Sequence, residues 1–314
     1  MQPDKPTLAL VERAKAAMQT VGEFDPKRYL HLAECNRVIP AEALAEEGKR
    51  VMLLGPSHEP GLLLPWEKAK GLVKIEPGNL AVWAGWSRHG KSRLLKQVML
   101  HAMSEGEKVC IASMEEKILK VWQEMGRTGC GSWEPGPRQI DEWVAFQTGK
   151  LWFYDHQGTV APEKIKALIR YCAEELGITQ LVVDSLMMMA IRRDDYDAQA
   201  AFVSELKGIA DATNCTVHLV VHLRKRDSKT GEDAPGTMHD ISGGHEISSV
   251  ADYVFNVWRN INKTAGNPDC VFTVEKQRGN IDWLGRIGLN FHHGARQFVE
   301  GDHAMRFWQT EAPL

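Results

Sequence analysis

The chain has 314 residues, with 38 Lys and Arg against 41 Asp and Glu, for a formal net charge of −3. Apolar residues make up 43% and charged residues 25%, a globular composition that excludes wholesale disorder and a uniformly basic nucleic-acid coat. No run approaches the ~18 uncharged apolar residues of a membrane span, and acids and lysines stand where a signal peptide needs an apolar core, so a soluble cytoplasmic protein is expected.

In chain order, residues 1 to about 60 read as short helical pieces. Leu8, Leu10, Val11, Ala14, Ala17 and Met18 recur at helical spacing, and Ala41 to Arg50 follow Pro40. The turn-rich stretch from Gly55 to Gly61 predicts a boundary, giving a helical linker or docking segment over 1–62 and one domain over 63–314. Strands and helices then alternate. Leu80 to Ala84 is an apolar strand, Lys91 to Met103 an amphipathic helix, and Val109 to Ala112 a second strand followed by a helix through Ile118, Val121, Trp122 and Met125. Leu151 to Tyr154 is strand-like, and the helix after Pro162 stops at Gly177. Leu181 to Val183 and Thr216 to Val221 are strands around a helix carrying Phe202, Leu206, Ile209 and Ala210. The strand patterns Tyr253 to Trp258, Val271 to Val274 and Ile287 to Phe291 have no long helices between them. The fold class is therefore α/β, a mainly parallel central sheet with an antiparallel C-terminal extension, preceded by a short helical segment.

Gly85-Trp86-Ser87-Arg88-His89-Gly90-Lys91-Ser92 is a full G-x-x-x-x-G-K-S between an apolar strand and an amphipathic helix. Gly85 and Gly90 let the backbone wrap closely so that its N–H groups face a phosphate, and the helix N-terminus adds a positive dipole end. Lys91 reaches the β- and γ-phosphates of ATP, and the Ser92 hydroxyl ligates Mg²⁺. A chance match in a chain this long is about one in a hundred, before the strand–helix context is counted. Trp86 and His89 are bulky for such a loop and are expected at the surface or facing the base. Asp184, ending an apolar strand, is the expected second holder of the Mg²⁺ shell. Glu115, the first acid off the second strand, is better aimed than Glu116 to polarise an attacking water, and Glu116 reads as a solvated acid.

His222 at a strand end suits a sensor of the γ-phosphate, or equally a structural histidine. After it, Arg224, Lys225, Arg226 and Lys229 stand against Asp227, and glycines continue to Gly243 and Gly244. Such a loop suits tracking a nucleic-acid backbone, and a plain solvated charge run remains the other reading. Lys276 and Arg278 stand two apart on an extended strand and project from one side. They are either surface charge or a pair of cations offered to a neighbouring molecule's triphosphate. The six cysteines lie apart, with no C-x-x-C pair, as expected of idle thiols in a reducing compartment.

Leu181 to Met189, Leu206-Lys207-Gly208-Ile209-Ala210, the strand ending at His222, Ser113-Met114-Glu115 and Lys276-Gln277-Arg278 together resemble the RecA-like motor domain of DnaB-type replicative helicases. The His222-Leu223-Arg224-Lys225 segment is most similar to the helicase half of phage primase–helicases and Twinkle. The resemblance covers roughly residues 63 to 300. It implies a homo-oligomeric ring, usually hexameric, with ATP between subunits, Glu115 as catalytic base, and Lys276 and Arg278 completing the neighbour's site. It further implies that the His222 and Gly243-Gly244 loops hold single-stranded DNA, that a separate primase or loader is a partner, and that a phage-encoded copy works in the host cytoplasm. A loader or recombinase without unwinding, and a regulatory ring ATPase, are the rival functions. Trp86, His89 and Ser185 depart from the family pattern, which has smaller loop residues and Tyr or His after the strand-ending Asp.

Overall fold

The computed structural model describes residues 25–29, 40–54, 59–224, 234–262, 267–279 and 281–308. The expected helix over Leu8 to Met18 and the expected boundary at residues 55–58 lie outside them. Strand β3 (Leu80–Ala84) sits near the middle of a nine-stranded sheet of order β11-β10-β9-β8-β3-β7-β6-β4-β5. Its neighbours β7 (Thr216–Val220) and β8 (Tyr253–Arg259) both run parallel to it, as do β6 (Gln180–Asp184), β4 (Val109–Ser113) and β5 (Leu151–Phe153) beyond β7. On the other side β9 (Cys270–Gln277), β10 (Gly285–His292) and β11 (Gln297–Val299) continue antiparallel. This is the expected class of fold. A separate antiparallel pair, β1 (Leu62–Leu63) and β2 (Lys74–Ile75), precedes it.

The pleat of β3 divides the core in two. Ala81 and Trp83 face one apolar cluster with Leu94, Leu95, Val98 and Met99, while Leu80, Val82 and Ala84 face another with Ile165, Leu168, Phe202 and Leu206. Helix α3 (Lys91–Ser104) supplies the first set, and α6 (Pro162–Leu176) with α7 (Tyr196–Thr213) the second. Burial of both faces is why the parallel strands read as unbroken apolar runs. One buried polar chain inside this sheet is fully paired. The Trp83 indole donates to His218 Nδ1 at 3.1 Å, and the opposite ring nitrogen of His218 lies 2.8 Å from Gln180 Oε1. With Nδ1 accepting, the ring proton sits on Nε2, and burial pushes the imidazole down to about 3.

Among the described residues, β1, β2, β11, α5 (Pro137–Gln147) and α8 (His245–Val250) are not signalled by the apolar periodicity. Helix α4 (Ile118–Gly129) stands where expected. The N-terminal segment is described in two pieces, α1 (Pro26–Tyr29) and α2 (Ala45–Leu54). Tyr29 of α1 packs on the chain's own α6, edge-on to Tyr171, with its hydroxyl donating to Glu175 at 2.9 Å. Met52 and Leu53 of α2 are 83% and 88% exposed.

The topology has one consequence for function. Parallel strands deliver the loops after β3, β4, β6 and β7 to a single edge of the sheet, where a ligand can meet all four. Because β9 is antiparallel and pairs Gln277 with Tyr253, its end lies at the opposite edge.

Trp83→Phe keeps an aromatic ring but leaves His218 Nδ1 buried without a donor. The expected cost is about 1–3 kcal/mol in denaturant unfolding, with ligand binding retained.

Candidate nucleotide-binding site

The loop after β3 is built around two glycines that no other residue can replace. A Cβ on Gly85 would lie 2.4 Å from the Val257 carbonyl oxygen. Gly90 has φ of 90°, and its Cβ would lie 2.9 Å from the Phe298 ring. Between them the chain turns sharply into α3, whose first turn carries no acid to oppose an incoming anion. Lys91 is 5% exposed and its ammonium donates to the carbonyls of Gly85 and Trp86, both at 2.9 Å.

The neighbouring strand ends complete the site. Asp184 is 7% exposed and accepts a hydrogen bond from the Ser92 hydroxyl. Burial pushes its carboxyl up, and the Ser92 bond opposes the shift. A buried carboxylate beside a hydroxyl is a hard-oxygen pair of the kind Mg²⁺ takes, so Ser92 and Asp184 fit the metal role. Pairing of Ser113 with Asp184 brings the β4 and β6 ends together, and Glu115 follows. Its Oε1 accepts from the Ser185 hydroxyl at 2.6 Å and lies 3.9 Å from His222 Nε2. The His222 imidazole, the Ser185 hydroxyl and the Lys91 ammonium hold the Glu115 carboxyl down to about 2, against partial burial. Glu115 is thus an ionised acceptor that can orient a water.

His222 stands at the centre. Its Nδ1 is 3.3 Å from Ser87 Oγ and 3.5 Å from Lys91 Nζ, while Nε2 faces Glu115. Glu116 is tied into ion pairs with Lys96 at 2.6 Å and Lys120 at 2.7 Å, rather than standing as a free solvated acid, and Lys96 also holds Glu124. Arg88, Arg93 and Arg259 line the same cavity of about 390 Å³.

Two expectations for the loop are corrected. Trp86 and His89 are each 1% exposed, not at the surface. The Trp86 indole turns into the core and donates to the Ala234 carbonyl at 3.2 Å, and His89 Nδ1 accepts from the Arg259 N–H at 3.1 Å. Apolar and backbone partners were available to both, and the spacing of the motif says nothing of which way its variable residues turn.

Of the predicted nucleic-acid residues, Lys225, Arg226 and Lys229 lie outside the described residues. The Arg224 guanidinium sits over the Tyr196 ring at 5.2 Å and lines a second cavity, of about 620 Å³, together with Trp86, Arg88, Arg193 and His222. Gly243 and Gly244 are buried at the start of α8 (His245–Val250), with a Gly243 Cβ position only 2.5 Å from Gln199 Oε1. Lys276 and Arg278 are not brought to this site. Lys276 Nζ donates to the Ser248 and Ser249 carbonyls at 2.8 and 2.7 Å, and Arg278 to Ser249 at 3.2 Å, at the opposite edge of the sheet. Ser185 is a site residue that the sequence reading treats only as a departure, because no local pattern connects its hydroxyl to Glu115.

A strand, a glycine loop on a helix N-terminus, and carboxylates from the ends of β6 and β4 define a P-loop nucleoside triphosphatase. A family model described as AAA domain matches residues 70–228, half of the chain, and the protein belongs to that family. Its fold is that of the RecA-like motor domain of DnaB-type replicative helicases. A DnaB-like replicative helicase, solved in a study of its interactions with primase, superposes with a TM-score of 0.70 at 14% identity, over 83% of this chain and 68% of that one. An isolated ATPase domain matches with a TM-score of 0.70 at 15% identity, over 82% of this chain and 97% of its own length. The Twinkle homolog protein, chloroplastic/mitochondrial, of Arabidopsis thaliana is 26% identical over 259 residues, 74% of this chain. The chain spans 35% of that relative's length.

The lowered Glu115 carboxyl has a measurable consequence. Between the ordinary value of 4.5 and about 2, the unfolded chain binds this proton and the folded chain does not, so stability falls as pH falls through that window. Glu115→Gln removes the contribution, and its melting temperature should fall less steeply than the wild type's from pH 4.5 to 2.

Proposed function

We propose that the protein is an ATP-driven DNA helicase that translocates on single-stranded DNA as a ring of identical subunits. One observation carries the reading. His222 touches the phosphate loop and faces Glu115, and the chain runs directly from it into the basic segment beginning at Arg224. A change at the γ-phosphate therefore reaches a cationic loop through a single side chain. Lys91 would bind the β- and γ-phosphates, Glu115 would orient the attacking water, and Ser87 would keep His222 in register. Ser92 and Asp184 would hold Mg²⁺, which would supply charge neutralisation at the phosphates.

The cations at the far edge complete the reading. From Ala81, the register partner of Tyr253, to the phosphate loop is roughly 13 Å of strand at about 3.3 Å per residue. Arg278 and Lys276 can serve catalysis only in a neighbour's site, as cations on its triphosphate, which requires an oligomer. Six subunits, a reducing compartment such as the cytoplasm, and a separate primase or loader complete the proposal. Among the described residues no helix is long and apolar enough to cross a membrane, and the cysteines are free.

Single-stranded DNA should stimulate ATP turnover, and a forked duplex should be unwound. Stimulation without unwinding would favour a loader or recombinase, and neither would favour a regulatory ATPase. Arg278→Ala and Lys91→Ala should each lose turnover, Arg278→Ala by ~10³-fold or more. Mixed and shown to co-assemble, the two inactive proteins should regain activity, because some interfaces pair an intact loop with an intact arginine. No recovery in that mixture would argue against the shared site.

Lys276 gives a further test. Burial, with Arg278 beside it, pushes its ammonium down to about 8, so raising the pH through that value discharges it. Turnover should decline on an alkaline limb near pH 8, and Lys276→Arg should move that limb upward.

A further inference from the structure

The Trp86 side chain spans from the phosphate loop to the return limb of the basic loop. Its carbonyl accepts the Lys91 ammonium at 2.9 Å and the His89 N–H at 3.3 Å, while its indole donates to the Ala234 carbonyl at 3.2 Å. The outgoing limb is fastened to the same loop. Leu223 N–H donates to the Gly85 carbonyl at 3.3 Å, the other acceptor of the Lys91 ammonium, and His222 lies against Ser87. The limbs are also clasped to each other, by Arg224 N–H on the Asp240 carbonyl at 2.7 Å and Ser242 N–H on the His222 carbonyl at 2.9 Å. The outgoing limb therefore rests on the Gly85 carbonyl that holds Lys91, and the return limb hangs from the side chain of Trp86, whose carbonyl is the other acceptor.

A triphosphate changes that arrangement by simple competition. Charge-assisted bonds from an ammonium to phosphate oxygens are roughly twice as strong as bonds to neutral acceptors, so Lys91 leaves the Gly85 and Trp86 carbonyls for the ligand. The peptide that carries Trp86 loses its charged donor, and the indole transmits the change to Ala234. A smaller residue at this position would have no such reach. We propose that Trp86 is the positioning residue that couples triphosphate binding to the basic loop, through its carbonyl on Lys91 and its indole on Ala234. The inference rests on the reading that this loop binds single-stranded DNA.

The test uses the full chain and a fluorescein-labelled oligothymidylate, titrated in the presence of Mg-ADP and of Mg-AMPPNP. The wild type should show dissociation constants that differ between the two nucleotides by at least about fivefold, and the oligonucleotide should change the preference for AMPPNP over ADP by the same factor. Trp86→Phe, which removes the N–H donor, should bring both ratios to within about twofold of one. Should the smaller ring impair folding, benzothienylalanine at position 86 keeps the bicyclic shape without the N–H and should give the same loss of linkage. A purely packing role would leave the ratios unchanged in that isostere. No oligonucleotide binding by the wild type would overturn the functional reading itself. Binding with a wild-type ratio near one, or a ratio kept in the folded variants, would overturn the Trp86 assignment alone.

Discussion

A buried ammonium must be given oxygens, and at Lys91 the chain supplies them from its own backbone. The Gly85 and Trp86 carbonyls solvate the charge in place of water, which fixes the curvature of the whole phosphate loop. Because those acceptors are neutral, the arrangement is satisfied but replaceable by a more negative ligand. Much else in the site follows. The glycines are needed so the loop can curl around the amine. His222 is drawn to its side, and Glu115 is kept ionised partly by its field.

The sheet order decides which groups can meet this ammonium. With β3 between β7 and β8, the chain ends that surround Lys91 come from elements far apart in sequence, so the site exists only once the sheet has closed. The same order separates the cations at the end of β9 from the phosphates. Asp252 marks that other edge: its buried carboxylate accepts the Leu80 N–H at 3.0 Å and pairs with Lys207, while the Arg278 guanidinium lies 3.9 Å away. The start of β3 and the arginine at the far edge are thereby fixed by one residue.

Much of the fold was legible because its signals are local. The βα alternation, the glycine–lysine–serine spacing and the apolar strand ending at Asp184 each declare themselves within a dozen residues. Glu115 and Glu116 differ in their partners: the first acid off β4 faces Ser185 and His222, while the second is bound by two lysines. Helix α5 was not legible, because only Trp143 of its apolar residues is buried, while Ile140 and Val144 remain 41% and 43% exposed. The burial of Trp86 and His89, against the expected surface placement, has a related reason. A loop has no period from which to read an inward face, and the partners of these two residues, Ala234 and Arg259, lie more than a hundred positions away. Ser185 shows the same limit, a hydroxyl whose meaning depends on an acid of another strand.

The outermost strands of the sheet, β5 and β11, are each three residues long. A strand that short offers few free backbone groups, and another chain gains little by pairing with it. At those two strands, contact with another copy would run through side chains and helices rather than through a shared ladder. A ladder would weld neighbours in one register. Side-chain contacts can slip, release and re-form, which would leave one copy free to change its angle to the next without either sheet being torn.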